Sequence, residues 1–178
     1  GILYKDRGVG IKDHKKMLCD ITNLEDKRGT LADALVGADV FIGVSVAGAL
    51  KPEMIKTMAK DPIVFAMANP NPEIMYDEAM AGGVKVMGTG RSDFPNQINN
   101  VLGFPYLFRG ALDVRATTIN TAMKVAAAHA LAALAREPVP DDVKALYPNE
   151  TLVFGTDYLI PKPFDRRLFV EVSYAVAE

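Results

Sequence analysis

Short apolar runs alternate with helical stripes along the first half of the chain. The runs Ile2–Tyr4, Val40–Val44, Ile63–Met67 and Val84–Met87 are partly β-branched or aromatic, and Lys85 is their one charge. Unbroken apolar runs without alternation predict strands covered on both faces, as in a parallel sheet. Between them, Lys12–Thr22 places Met17, Leu18 and Ile21 on one side and lysines on the other. Leu31, Ala34 and Leu35 make a short stripe, with Thr30 as N-cap and Gly37 as stop. Pro52 suits the first turn of a helix over 52–60, with Met54, Ile55 and Met58 inward. A further helix is expected over 73–81, ended by Gly82-Gly83. This strand–helix rhythm predicts an α/β fold, a doubly wound parallel sheet with right-handed crossovers.

After Met87 the pattern changes. Residues 88–105 form a long polar segment rich in Gly, Asn, Asp and Pro. C-terminal helices follow over 107–116, 119–136, 141–146 and 165–177, with an extended stretch over 152–163. The helix over 119–136 is alanine-rich, which favours close packing, and Pro138 and Pro140 stop it.

Composition narrows the function classes. With 20 Lys+Arg against 22 Asp+Glu, the net charge of −2 gives no footprint for nucleic acid or anionic lipid. No apolar run approaches the roughly 20 residues of a membrane span, and the opening GILYKDRGVG lacks a charged-then-apolar leader. One cysteine, Cys19, excludes an internal disulfide and fits a reducing, cytoplasmic setting. With His14 and His129 the only histidines, a zinc site is not expected. His14 sits among lysines on a solvated face, and His129 reads as a packed or surface residue of its helix.

Familiar phosphate motifs are absent. Gly8-Val9-Gly10 lacks a third glycine, and Gly43-Val44-Ser45-Val46-Ala47-Gly48 is followed by Ala49-Leu50 where a P-loop needs Lys-Ser/Thr. Instead, three segments follow predicted strands, at the edge where open α/β sheets bind ligands. In 43–50, small residues allow a ring or ribose to approach, and Ser45 can bond a hydroxyl; the alternative is a plain turn. In Ala68-Asn69-Pro70-Asn71-Pro72-Glu73 the prolines stiffen the turn. Asn69 can hold a substrate carboxylate or hydroxyl without charge, or close an Asx turn on its own backbone. The third segment carries four carboxamides in five residues, Asn96, Gln97, Asn99 and Asn100. Asn99 and Asn100 can meet Asn69 over the sheet edge, or serve their own loop. Arg91 can face a ligand or a carboxylate of the protein.

The strings ADVFIGVSVAGAL-KPEMI, DPIVFAMANPNPEI and GTGRSDFPNQINNVLGFPYLFRGALDVRA resemble bacterial and archaeal malic enzymes, as do GILYKDR and YLIPKPFDRRLFVEV. The resemblance runs from Gly1 to Glu178. It implies an enzyme that oxidises malate with NAD or NADP and decarboxylates the product to pyruvate, aided by Mg²⁺ or Mn²⁺. It implies that Asn69 and Asn100 touch substrate, with Asn99 as a close second for the latter, and that Gly43, Ser45 and Asn69 lie along the cofactor. A homodimer is the family expectation for the intact enzyme.

The family's catalytic tyrosine and lysine, metal-binding carboxylates and glycine-rich turn match nothing in the sequence and are expected before Gly1. Residues 1–178 then represent a partial, Rossmann-like NAD(P)-binding domain without its first βα unit, and by itself inactive. Lys5, Arg7 and Lys12 lie where a 2′-phosphate of NADP could be drawn. The other readings are a non-catalytic nucleotide-binding or interaction module with a dehydrogenase-like fold, and a Rossmann dehydrogenase acting on another small acid or folate.

Overall fold

A computed structural model describes residues 1–8 and 11–178, with the side chain of His14 outside the description. Val9 and Gly10 of the rejected Gly8-Val9-Gly10 pattern also lie outside it. Among the described residues, β1 (Val40–Gly43), β2 (Ile63–Ala66) and β3 (Val86–Thr89) form one parallel sheet in the order β1-β2-β3. Phe41, Val64 and Met87 share one register row, and Gly43, Ala66 and Thr89 share the next but one.

The first helix, α1 (Asp13–Ile21), buries Cys19 but leaves Met17 72% and Ile21 73% exposed. Helix α2 (Leu31–Leu35) opens with a capping box, in which the Thr30 hydroxyl accepts from the Asp33 N–H and the Asp33 carboxylate accepts from the Thr30 N–H. With α3 (Pro52–Ile55) and α4 (Tyr76–Gly82) it closes one core over the sheet. Phe41, Val64 and Met87 bury there against Leu35, Ile55 and Ala79. The opposite face is uneven. Val40 and Ile42 of β1 are 45% and 64% exposed. Within β3, Gly88 leaves no room for a side chain, since a Cβ would lie 2.9 Å from Phe65 and 3.0 Å from Ile98.

The second core joins α5 (Phe104–Asp113), α6 (Thr121–Leu134) and α8 (Arg167–Ala177) through Leu107, Ala127, Leu134, Leu168 and Val172. Gly110 of α5 lets that helix approach α8, because a Cβ there would meet Val176 at 2.8 Å and the Ser173 carbonyl. The α6 N-terminus is capped by Asn120, whose side chain accepts from the Met123 N–H at 2.9 Å. A small third core gathers Val139, Val143, Leu152 and Tyr158 around α7 (Asp141–Lys144).

Several boundaries differ from expectation. Ile2–Tyr4 forms no strand: the Ile2 N–H donates to the Gly29 carbonyl, and the Leu3 carbonyl accepts from Asn23. A strand exists only through a ladder, and those groups are engaged by a loop. Helix α3 stops at Ile55 and continues as turns. Helix α4 starts at Tyr76, not Glu73, because Glu73 is drawn into the protein. Helix α5 starts at Phe104, with Pro105 in its first turn.

Candidate functional site

The carboxyl ends of the three strands open onto one cleft of about 730 Å³. Val44 follows β1, Met67–Pro70 follow β2, and Gly90–Asp93 with Gln97–Asn100 follow β3. The cleft therefore brings Asn69, Asn99 and Asn100 together. Gly43 and Ser45 flank Val44 but do not line it.

The carboxamides are not equivalent. Asn99 caps the 3-10 turn Asn100–Leu102, its Oδ1 accepting from the Val101 N–H at 3.1 Å. Asn69 and Asn100 are exposed, and neither side chain hydrogen-bonds another described residue. The Asx turn open to Asn69 is thus not formed, although the Asn69–Pro70 bond is cis. Of the three, Asn69 and Asn100 keep their full donor and acceptor capacity for a ligand.

Beneath Asn69 lies Glu73, fully buried. Its Oε1 accepts from the Ser45 N–H at 2.6 Å and the Ser45 hydroxyl at 3.0 Å, and its Oε2 accepts from the Ala68 N–H at 3.1 Å. Burial pushes this carboxyl up, but the N–H groups of Ser45 and Ala68 and the Ser45 hydroxyl outweigh it and hold the group below the usual carboxylate range. Gly43 packs on the same carboxylate: a Cβ would fall 2.5 Å from Cδ. Glycine at 43 is thus needed for close approach by the protein's own Glu73. The Ser45 hydroxyl donates its hydrogen bond to Glu73 and keeps acceptor capacity on its oxygen.

The third wall is pinned by Asn96, 4% exposed. Its Nδ2 donates to the carbonyls of Met87 (2.8 Å) and Thr156 (2.7 Å), and its Oδ1 accepts from the Leu159 N–H (2.8 Å). Its φ of 54° lies in the left-handed region that Asn tolerates. The loop folds back on β3, with the Ile98 N–H donating to the Thr89 carbonyl at 2.7 Å. Arg91 takes the protein-carboxylate alternative, binding Asp93 at 2.8 and 2.6 Å. These bonds hold the Asp93 carboxyl below its usual range.

Sequence reasoning missed Glu73 and treated Asn96 only as one of a carboxamide cluster. Pro95-Asn96 is a turn pair, a signal for the left-handed backbone. For Glu73 the signal was slight, an acid between the apolar neighbours Pro72 and Ile74. Other candidates sit apart. His129 is exposed on α6, Lys5 and Lys12 are exposed, and Arg7 donates to the carbonyls of Gly1 (2.8 Å) and Ile2 (3.0 Å). Among the described residues no group of three His, Cys, Asp or Glu could hold a metal ion, and no helix is long and apolar enough to cross a membrane.

Comparison with known proteins places this architecture. The family "Malic enzyme, NAD binding domain" matches residues 1–153. The bifunctional malic/malolactic enzyme of Bacillus subtilis is 55% identical over 178 residues, covering 100% of this chain and 40% of that protein. An NADP-dependent malic enzyme of Halomonas elongata is 60% identical, covering 100% of this chain and 41% of its own length. An NAD-dependent malic enzyme of Rhizobium meliloti is 51% identical, with 23% of its length covered. The chain thus spans about two fifths or less of these relatives. Among solved structures, the NAD-dependent malic enzyme of Thermotoga maritima superposes with a TM-score of 0.84 at 38% identity, covering 99% of this chain and 42% of that one. The malic enzyme of Pyrococcus horikoshii gives 0.79 at 41% identity, covering 93% and 35%. Strand order, the cleft at the strand ends and these matches together place the chain in the malic enzyme NAD-binding domain family.

Proposed function

We propose that this chain forms the cofactor-side wall of an active site that oxidises malate with NAD or NADP and decarboxylates it to pyruvate and CO₂. The observation that carries the reading is the convergence of Asn69 and Asn100, both with unengaged carboxamides, in one cleft at the strand ends. Their N–H groups donate to a carboxylate or hydroxyl of malate. Being uncharged, they do not compete for the proton that leaves C2 oxygen. Asn99, already capping a turn, is the weaker substrate contact. Gly43, Ser45 and Asn69 border the path of the nicotinamide cofactor, which supplies the hydride acceptor when bound. The chain's own contribution is orientation of substrate against cofactor.

The described residues do not fit a divalent metal, and no step is assigned to one on this chain. Nor do they supply an acid–base pair at the cleft. We propose that the 178-residue chain alone is inactive and that a full-length protein containing it carries the activity. The full-length protein is further proposed to act as a homodimer, for which the exposed Phe104, Phe108 and Leu112 of α5 offer apolar surface; its sedimentation tests this.

The test is a malate assay of the full-length protein with NAD and NADP in the presence of Mn²⁺. Equal amounts of pyruvate and reduced cofactor are expected. Cofactor binding without any pyruvate would favour a non-catalytic nucleotide-binding module.

A further inference from the structure

The last ladder pair between β1 and β2 is Gly43↔Ala66. Continuing that register by two residues pairs Ser45 with Ala68. These two residues lie in the loops just beyond the ladder, and one buried carboxylate joins them. Oε1 of Glu73 holds the N–H and hydroxyl of Ser45, and Oε2 holds the N–H of Ala68. The Glu73 backbone adds a second tie, its carbonyl accepting from the Leu50 N–H at 3.1 Å. Ala68 directly precedes Asn69, and Ser45 lies on the segment assigned to the cofactor.

We propose that Glu73 is a positioning residue: its carboxylate fixes the peptide before Asn69 at a set distance from the Gly43–Ser45 turn and so aligns substrate with cofactor. This rests on the reading of Asn69 as a substrate contact. Glu73 itself touches neither ligand. A carboxylate suits the task because both oxygens must accept. In Glu73→Gln the amide oxygen can keep both Ser45 bonds, while its NH₂ meets the Ala68 N–H donor to donor. The substitution thus releases the peptide before Asn69 and spares the Gly43–Ser45 part of the cofactor path.

The experiment is a double-mutant cycle in the full-length protein with Glu73→Gln, Asn69→Ala and the pair. Each is assayed for kcat and KM of malate, with cofactor Kd measured separately. Glu73→Gln is expected to lower kcat/KM about tenfold to a hundredfold. Its cofactor Kd should change by a smaller factor than its kcat/KM, because Gly43 and Ser45 keep their places, and it should cost little further in the Asn69→Ala background. If Asn69→Ala impairs turnover while Glu73→Gln does not, or if the effects simply add, the positioning role is overturned and the Asn69 reading stands. If Asn69→Ala leaves malate kinetics unchanged, the Asn69 reading falls and takes the positioning role with it. Should Glu73→Gln lose its folded circular dichroism, Glu73→Asp serves in the same cycle, since one methylene less cannot span both loops. Equal losses in malate KM and cofactor Kd in that variant would indicate a merely structural role and overturn the proposal.

Discussion

Gly43 and Glu73 meet without room for a methyl group: a Cβ on Gly43 would stand 2.5 Å from the carboxyl carbon of Glu73 and 2.6 Å from its Oε1. The last residue of β1 is therefore matched to a buried acid that enters from the loop after β2. Gly43→Ala must displace that carboxylate or the strand end. Overpacking of this kind costs about 1–3 kcal/mol. A lowered Tm together with a weaker cofactor Kd is expected, measured by thermal unfolding with and without NAD(P).

The same acid sets a pH dependence. Its carboxyl lies below the usual range because the N–H groups of Ser45 and Ala68 and the Ser45 hydroxyl outweigh burial. A depressed acid contributes stability that is fully present above its unfolded value, near ~4.3 for Glu, and is lost as pH falls through the folded value. The stability difference between the native protein and Glu73→Gln should accordingly be constant near neutrality and shrink as the solution is acidified. Denaturant titrations over that range check it. A difference that grows on acidification would contradict the assignment.

Asn96 makes three hydrogen bonds to backbone groups, and Asn96→Ala would strand the buried Met87 carbonyl together with the part-buried Thr156 carbonyl and Leu159 N–H. A loss of about 2–3 kcal/mol is expected. Because Asn96 anchors the segment that carries Asn99 and Asn100, malate KM should rise as well, as steady-state assays at a temperature where the variant stays folded would register.

In the second core, Gly110→Ala would press a methyl group onto Val176 and the Ser173 carbonyl. Helices α5 and α8 must then separate, at about 1–3 kcal/mol. The cleft lies at the strand ends rather than at this contact, so Tm should fall with cofactor affinity nearly unchanged.

Much of this arrangement was written locally. The three strands sit on the expected apolar runs, although β1 leaves Val40 and Ile42 exposed where cover on both faces was expected, and the Thr30 cap and the stop at Gly37 are read from neighbouring residues. The convergence of Asn69 with Asn100 followed from placing each segment after a strand of one parallel sheet. What was not legible depends on distant partners. Glu73 looks like any acid at a helix start until the Ser45 amide, 28 residues away, is brought to it. Asn96 reads as a loop residue until Thr156 and Leu159, 60 and 63 residues on, take its side chain. Ile2–Tyr4 has strand composition, but its groups bond a loop. Met17 and Ile21 show the same limit, an apolar stripe with no partner among the described residues.

The most direct test of the account is the malate kinetics of Asn69→Ala and Asn100→Ala in the full-length protein, set beside those of Asn99→Ala. Loss of a hydrogen bond to a charged substrate group should lower kcat/KM about tenfold to a hundredfold for the first two. Asn99→Ala should act mainly on stability, through its 3-10 cap. Unchanged malate kinetics in both Asn69→Ala and Asn100→Ala would contradict the claim that these carboxamides hold the substrate.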